Sequence, residues 1–200
     1  MPTTAPTRAA RSAIPHPDRR IEELRTVLIR QDDEQAPAAP GPAEPAAGSG
    51  TRRRSVHILV VEDDPGDQML IEEAFSESEG GPPPRLAIVE DGEEALDFLH
   101  RRGTHTGASR PDLVLLDLNL PKYSGRAVLE QIKTDTDLRS IPVVIFTTSA
   151  SADDVAATYL LHANAYVTKP VDLDGFTTTV QRINSFFTRT ARLPEPPVAA

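Results

Sequence analysis

The stretch Val56-His57-Ile58-Leu59-Val60-Val61 is an almost continuous apolar run, and three acidic residues, Glu62-Asp63-Asp64, follow it directly. A strand in a parallel sheet is covered by helices on both faces, so its sequence lacks the alternation of apolar and polar residues that a half-exposed strand shows. We therefore predict a buried parallel strand whose carboxyl end carries the acidic residues.

Four further apolar runs lie along the chain, and an amphipathic stretch follows every run. The predicted strands are 56–61, 86–89, 113–116, 143–146 and 165–168. The predicted helices are 66–79, 92–102, 125–134, a short one after Ser151, and 172–188. Strands and helices of these lengths in alternation are typical of a doubly wound α/β fold, in which right-handed crossovers place helices on both faces of a parallel sheet.

Residues 1–54 differ in composition from the rest of the chain. They hold eight of the 19 prolines, and the run 36–50 has too little bulky apolar surface to offset the entropy of ordering its backbone. We predict a mostly disordered extension over 1–54 with a short amphipathic helix at 20–31. One domain over 55–188 and a flexible tail over 189–200 complete the predicted organisation.

The net charge of −9 is unevenly distributed. Residues 1–54 contain nine arginines and seven acidic residues, whereas residues 55–200 contain 12 basic and 23 acidic residues and carry a net charge of −11. Proteins that bind nucleic acid need clustered cations for phosphate contacts. The acidic domain therefore argues against a nucleic-acid partner.

The sequence contains no cysteine, which excludes a disulfide framework and a thiolate metal site. No apolar stretch approaches the roughly 18 residues of a membrane span, and the arginines near the N-terminus are not followed by the apolar run of a secretory signal. We predict a cytoplasmic protein that does not enter the membrane.

Polar residues stand directly after the predicted strands. Glu62 and Asp63 follow the first strand, Asp117 the third, Thr147 the fourth and Lys169 the fifth. Ligands of open parallel sheets bind at the carboxyl ends of the strands, so these side chains should meet at one edge. Crowded carboxylates repel each other, and a bound divalent cation relieves that repulsion. Oxygen ligands without His or Cys favour Mg²⁺.

These motifs resemble the receiver domains of two-component signalling, over residues 56 to about 188. The matching segments are Val60-Val61-Glu62-Asp63-Asp64, Leu115-Leu116-Asp117-Leu118-Asn119-Leu120-Pro121, Phe146-Thr147-Thr148-Ser149 and Tyr166-Val167-Thr168-Lys169-Pro170. The segments around Asp117 and Lys169 are most similar to standalone receivers that partner bacterial phytochrome-type histidine kinases. The resemblance implies a flavodoxin-like sheet with strand order 2-1-3-4-5.

The resemblance also implies a role for each residue at the site. Asp117 is expected to accept the phosphoryl group. Asp63 is expected to bind Mg²⁺ directly, Glu62 to act nearby through water, and Asn119 to supply a backbone carbonyl to the metal. Members of this family are expected to catalyse only their own phosphorylation. The resemblance therefore implies a signalling module and not an enzyme.

The remaining implied roles concern the response to phosphorylation. Thr147 is expected to donate a hydrogen bond to a phosphoryl oxygen, and Lys169 to pair with another. Tyr166 matches an aromatic position whose rotamer follows Thr147. The implied partners are a sensor histidine kinase, of phytochrome type by the narrower resemblance, and an unidentified output protein. Whether the protein forms a homodimer stays open at this point.

Three alternative functions compete with a phosphorylated receiver. A phosphatase with an aspartyl nucleophile normally has a second Asp two residues later, where this chain has Asn119. A pseudo-receiver that is never phosphorylated would be expected to have lost an acidic residue or the lysine. A flavodoxin-like cofactor binder needs a phosphate loop rich in Gly, Ser and Thr after the first strand, where this chain has Glu62-Asp63-Asp64.

Overall fold

The computed structural model describes residues 55–76 and 83–194. The predicted extension over 1–54, with its helix, lies outside the described residues, as does the second half of the predicted tail. Among the described residues, no helix combines the length and the apolar character that crossing a membrane requires.

Five parallel strands form one sheet in the order β2-β1-β3-β4-β5, which confirms the predicted topology. The strands are β1 (His57–Val61), β2 (Arg85–Val89), β3 (Leu113–Leu116), β4 (Val143–Thr147) and β5 (Ala165–Thr168). The helices are α1 (Pro65–Ser76), α2 (Gly92–His100), α3 (Gly125–Thr134), α4 (Ala152–Leu160) and α5 (Leu173–Ser185).

The sheet has an apolar core on each face because side chains alternate along a strand. In β1, Ile58 and Val60 point into a core that α1 and α5 cover, whereas Leu59 and Val61 point into a core that α2 and α3 cover. All four side chains are at most 1% exposed, and full burial of one such side chain contributes roughly 1.5–3 kcal/mol. This two-sided burial explains the continuous apolar sequence of the strand.

Polar side chains fix the first turns of the helices. Ser151 caps α4, as its spacing from Asp154 predicts, and accepts a hydrogen bond from the Asp154 N–H. Asp91, which resembles a simple turn residue in the sequence, caps α2 by accepting a 2.8 Å hydrogen bond from the Glu94 N–H. An N-terminal cap of this kind contributes about 1 kcal/mol to helix stability.

The predicted ends of three helices need correction or lie outside the described range. Residues 77–79 of the first predicted helix are not among the described residues. The second helix ends at His100 and not at 102, because Arg101 takes a left-handed backbone with φ of 56° and its N–H closes the last turn. A π-helical turn, Phe186–Thr190, continues from α5, so the predicted domain boundary at 188 falls inside a helical segment.

Candidate functional site at the carboxyl edge of the sheet

The site residues follow strands whose pairing fixes their positions. Val61 of β1 lies opposite Leu116 of β3 in the sheet, so the next residues, Glu62 and Asp117, emerge side by side. The N–H of Asp117 donates to the carbonyl of Val61 with an N···O distance of 3.0 Å. Glu62 and Asp117 are 2% and 5% exposed. The apolar strands therefore hold two carboxylates at one buried edge.

Lys169, directly after β5, is the only cation among the described residues that contacts this carboxylate pair. Its Nζ lies 2.6 Å from Oδ2 of Asp117, 2.7 Å from Oε2 of Glu62 and 2.8 Å from Oδ2 of Asp67. The Lys169 side chain is 4% exposed, and a buried charge of this kind must be paired to be tolerated. One lysine therefore contacts three carboxylates and neutralises only part of their charge.

Asp67 is a member of the site that the sequence did not reveal. It lies in the first turn of α1, where an acidic residue is ordinarily explained by the positive end of the helix dipole. Asp64, which follows the acidic pair Glu62-Asp63 in sequence, turns away instead: its Oδ1 accepts a 2.9 Å hydrogen bond from the Asp67 N–H. The one available signal was the position of Asp67 just beyond the acidic end of β1.

Glu62, Asp63 and Asp117 form a set of potential metal ligands. One carboxylate oxygen from each residue lies within 4.8 Å of the oxygens of the others. Two carboxylates about 4 Å apart repel by roughly 4 kcal/mol at an effective dielectric constant near 20, and Lys169 supplies a single positive charge. Asp63 is exposed, which leaves the set open to solvent. A donor set of oxygens alone fits a hard divalent cation such as Mg²⁺.

Asn119 contacts the site through its backbone. Its N–H donates to Oδ1 of Asp117 over 3.0 Å, while the opposite oxygen of the same carboxylate contacts Lys169. The two oxygens of Asp117 are thus held in fixed orientation. The expected role of the Asn119 carbonyl as a metal ligand stays a prediction.

The protonation states of the cluster differ from residue to residue. Burial opposes ionisation of Asp117, but hydrogen bonds from the Asn119 N–H, Lys169 and the Thr147 hydroxyl hold its pKa below the usual value. Burial raises the pKa of Glu62 to about 7 despite its contact with Lys169, and the Asp117 charge adds to that rise. Burial would lower the pKa of Lys169, yet its three carboxylate partners raise it. Asp117 is therefore ionised at neutral pH, whereas Glu62 is partly protonated.

Thr147 and Tyr166 are connected through the loop after β4. Thr147 is fully buried at the end of that strand, and its Oγ1 lies 3.4 Å from the Ser149 N–H nitrogen. The Tyr166 hydroxyl donates to the carbonyl of Ser149 over 2.9 Å. Ser149 thus bridges the two residues, so a movement of Thr147 can reach Tyr166 through one loop residue.

The same loop is attached to α4, and α4 in turn to α3, by contacts that the sequence did not predict. Oγ of Ser149 donates to Oδ2 of Asp154 in α4 over 2.6 Å. Oδ1 of Asp154 accepts a 2.6 Å hydrogen bond from Arg126 in α3. Because Arg126 and Asp154 are 28 residues apart, only the fold brings them together.

Comparison with known proteins identifies the family. A family model of the response regulator receiver domain matches residues 58–181. Response regulator Rcp1 of Synechocystis sp. is 46% identical over 137 residues, which cover 68% of this chain and 92% of Rcp1.

Solved structures agree with that match. The Mn²⁺-bound form of Rcp1 aligns with a TM-score of 0.67 and 45% identity, covering 70% of this chain and 99% of the Rcp1 chain. The phosphorylated cyanobacterial phytochrome response regulator RcpA aligns with a TM-score of 0.68 and 44% identity, covering 71% of this chain and 100% of the RcpA chain. Since the family match extends from β1 into α5 and includes every acidic residue of the site, this chain belongs to the receiver-domain family of two-component response regulators.

Proposed function

We propose that this protein is a cytoplasmic single-domain response regulator that accepts a phosphoryl group from a histidine kinase onto Asp117 in a Mg²⁺-dependent reaction. The observation that carries the proposal is the 2.6 Å contact between Lys169 Nζ and Asp117 Oδ2 inside a cluster of carboxylates. An ionised carboxylate, a fixed cation and a hydroxyl at one edge of the sheet are the groups that phosphoryl transfer requires.

Asp117 supplies the nucleophile. Its low pKa means that no base has to remove a proton before attack. An oxygen of Asp117 bonds to phosphorus while the bond from phosphorus to the donor breaks, and the donor keeps the electron pair. Lys169 and the Thr147 hydroxyl then neutralise and bind the oxygens of the phosphoryl group. Glu62, Asp63 and Asp117 would hold Mg²⁺, which supplies positive charge to the incoming phosphoryl group.

The proposed partner is a histidine kinase of phytochrome type. Support comes from the similarity to RcpA, which is a phytochrome response regulator. The proposed output is contact with another protein through α4, β5 and α5 around Tyr166, because this region is linked to Thr147 through Ser149. The acidic charge of the domain disfavours DNA as the output partner.

Phosphorylation is expected to depend on the divalent cation. Incubation with acetyl phosphate and Mg²⁺ should add one phosphoryl group, seen as a single mass increment by intact mass spectrometry. Excess EDTA should remove the increment, because the bare carboxylate cluster repels the anionic donor. Equal labelling with and without EDTA would contradict the proposed metal dependence.

The affinity for Mg²⁺ is expected to fall with decreasing pH. The pKa of Glu62 is about 7, so below that pH the cation must displace a proton, and above it the carboxylate is already charged. We expect the apparent affinity to drop by up to about tenfold per pH unit below pH 7 and to level off above it. Titrations between pH 5.5 and 8.5 would measure this, and in Glu62→Gln the dependence should be much flatter. A wild-type affinity that is constant across this range would contradict the prediction.

A further inference from the structure

A second concave site lies at the opposite end of the sheet from Asp117. A cavity of about 970 Å³ opens there between the starts of β1 and β2, the end of α2 and the segment 101–110. His57 and Arg85, which are paired residues at the starts of β1 and β2, form one side. A volume of this size lies at the upper end of the range that small-molecule sites occupy, roughly 300–1,000 Å³.

Three arginines, Arg85, Arg101 and Arg110, line this cavity. The Arg110 guanidinium is fixed in place, because its Nη2 donates to the carbonyl of Asp137 and to Oγ of Ser140, both over 2.9 Å. Burial and the nearby charge of Arg101 lower the pKa of Arg110, and the acidic groups of Asp112 and Asp137 oppose that shift.

The positive charges of the arginines around this cavity are only partly neutralised by neighbouring acidic side chains. Within residues 55–76 and 83–194, neither Arg85 nor Arg101 forms an ion pair within 4.0 Å. These arginines lie together in a segment, 55–200, that is acidic as a whole, with 23 acidic and 12 basic residues. Guanidinium groups bind phosphates through two parallel hydrogen bonds. The charge of the cavity therefore fits a phosphorylated ligand.

Arg101 holds its position at a conformational cost. Its φ of 56° lies in the left-handed region, which residues with a Cβ disfavour and which glycine adopts freely. A glycine at this position would end α2 with less strain, yet the chain carries a guanidinium group here, at the cavity. Lys122 and His162 share this left-handed backbone outside the cavity, so the site rests on its cluster of arginines and not on backbone strain.

The wall of the cavity also offers apolar surface. Phe98 and Leu86 contribute apolar side chains, and the rings of Phe98 and His57 lie with their centroids 6.0 Å apart. Nδ1 of His57 is buried and has no hydrogen-bond partner among the described residues. Since this atom is shielded from solvent, a ligand in the cavity does not reach it, and the wall offers a ring the apolar side chains of Phe98 and Leu86.

We propose that this cavity binds an organic phosphate of nucleotide size, with its phosphates on Arg85 and Arg101 and its ring against Phe98 and Leu86. The ligand would be separated from Asp117 by the length of β1, roughly 16 Å at about 3.3 Å per residue. The two sites use different residues. The proposal therefore does not rest on phosphorylation of Asp117.

Isothermal titration of the full chain with ADP, in EDTA and physiological salt, tests the proposal. We expect saturable binding to one site, and Arg101→Gly should weaken it by roughly tenfold or more because a charged hydrogen-bond pair is lost. The same variant should unfold at the same or a higher temperature, since glycine suits the left-handed backbone. Loss of binding would then not reflect loss of folding.

Arg102→Gln provides the matched control. This neighbouring arginine is exposed and lines a separate hollow beside α3, so its loss should change the affinity less than twofold if binding is local. Inorganic pyrophosphate and adenosine should each bind at least tenfold more weakly than ADP. The proposal is overturned by absence of ADP binding at millimolar concentration, by unchanged binding in Arg101→Gly, or by equal loss in Arg102→Gln. Pyrophosphate binding as tight as that of ADP would overturn the assigned ligand class.

Discussion

Replacing Asp117 by Asn is expected to abolish phosphorylation by acetyl phosphate or a phosphorylated kinase, with a rate loss of roughly a thousandfold or more. The amide has nearly the shape of the carboxylate but lacks the anionic oxygen that attacks phosphorus. Lys169 would keep its contacts with Glu62 and Asp67 at 2.7 and 2.8 Å, so the fold should survive. Intact mass spectrometry with Mg²⁺ present measures the outcome.

Asp64→Asn is the matched control for this experiment. It removes one carboxylate from the same acidic segment, but the Asp64 side chain caps the start of α1 through the Asp67 N–H, a role that Asn fills equally well. Labelling of Asp64→Asn should therefore stay within a few-fold of wild type. If Asp117→Asn were labelled as fast as wild type, the proposed acceptor would be wrong.

Gly125→Ala is expected to destabilise the protein by about 3 kcal/mol or more, in the upper range for a single substitution. Gly125 is the first residue of α3, and a Cβ there would overlap the backbone of Asp117 and Leu118. In an unobstructed helix the same change is favourable by up to about 1 kcal/mol. A loss of stability in Gly125→Ala would therefore show that α3 lies in close contact with the backbone at Asp117, whereas a gain would show that it does not. Urea denaturation monitored by circular dichroism would measure it.

Gly107→Ala serves as the control, because a Cβ at Gly107 would meet no heavy atom within 4 Å. Its free energy of unfolding should match that of wild type to within about 0.5 kcal/mol, as for other exposed substitutions. A Gly125→Ala protein as stable as Gly107→Ala would show that the helix can move away from Asp117 without cost.

The strands and the residues after them were predictable because the three central strands, β1, β3 and β4, are buried on both faces. Ile58 and Leu59 face opposite cores, so the sequence stays apolar until the strand ends, and the first polar residue marks the edge where ligands bind. Glu62 and Asp117 could be placed together on this ground alone, since the carboxyl ends of parallel strands share one edge.

Asp67, Arg101 and Asp154 were not predictable in the same way. Whether Asp67 or Asp64 turns toward Lys169 depends on where α1 begins, which a sequence pattern fixes only to within a few residues. The left-handed backbone of Arg101 is set by the packing of α2 and the following loop, and arginine has no local preference for it. The pairing of Arg126 with Asp154 joins two helices and depends on the finished fold.

The hydrogen bond from Tyr166 to the Ser149 carbonyl has a practical consequence for optical measurements. The chain contains three tyrosines and no tryptophan, so tyrosine emission is not obscured by energy transfer to an indole. Tyr123 and Tyr159 are each 50% exposed, while Tyr166 is partly buried with its hydroxyl bound to a carbonyl. Rearrangement of that ring would change one of three intrinsic emitters, and the protein therefore carries an unlabelled fluorescent reporter of the loop that follows β4.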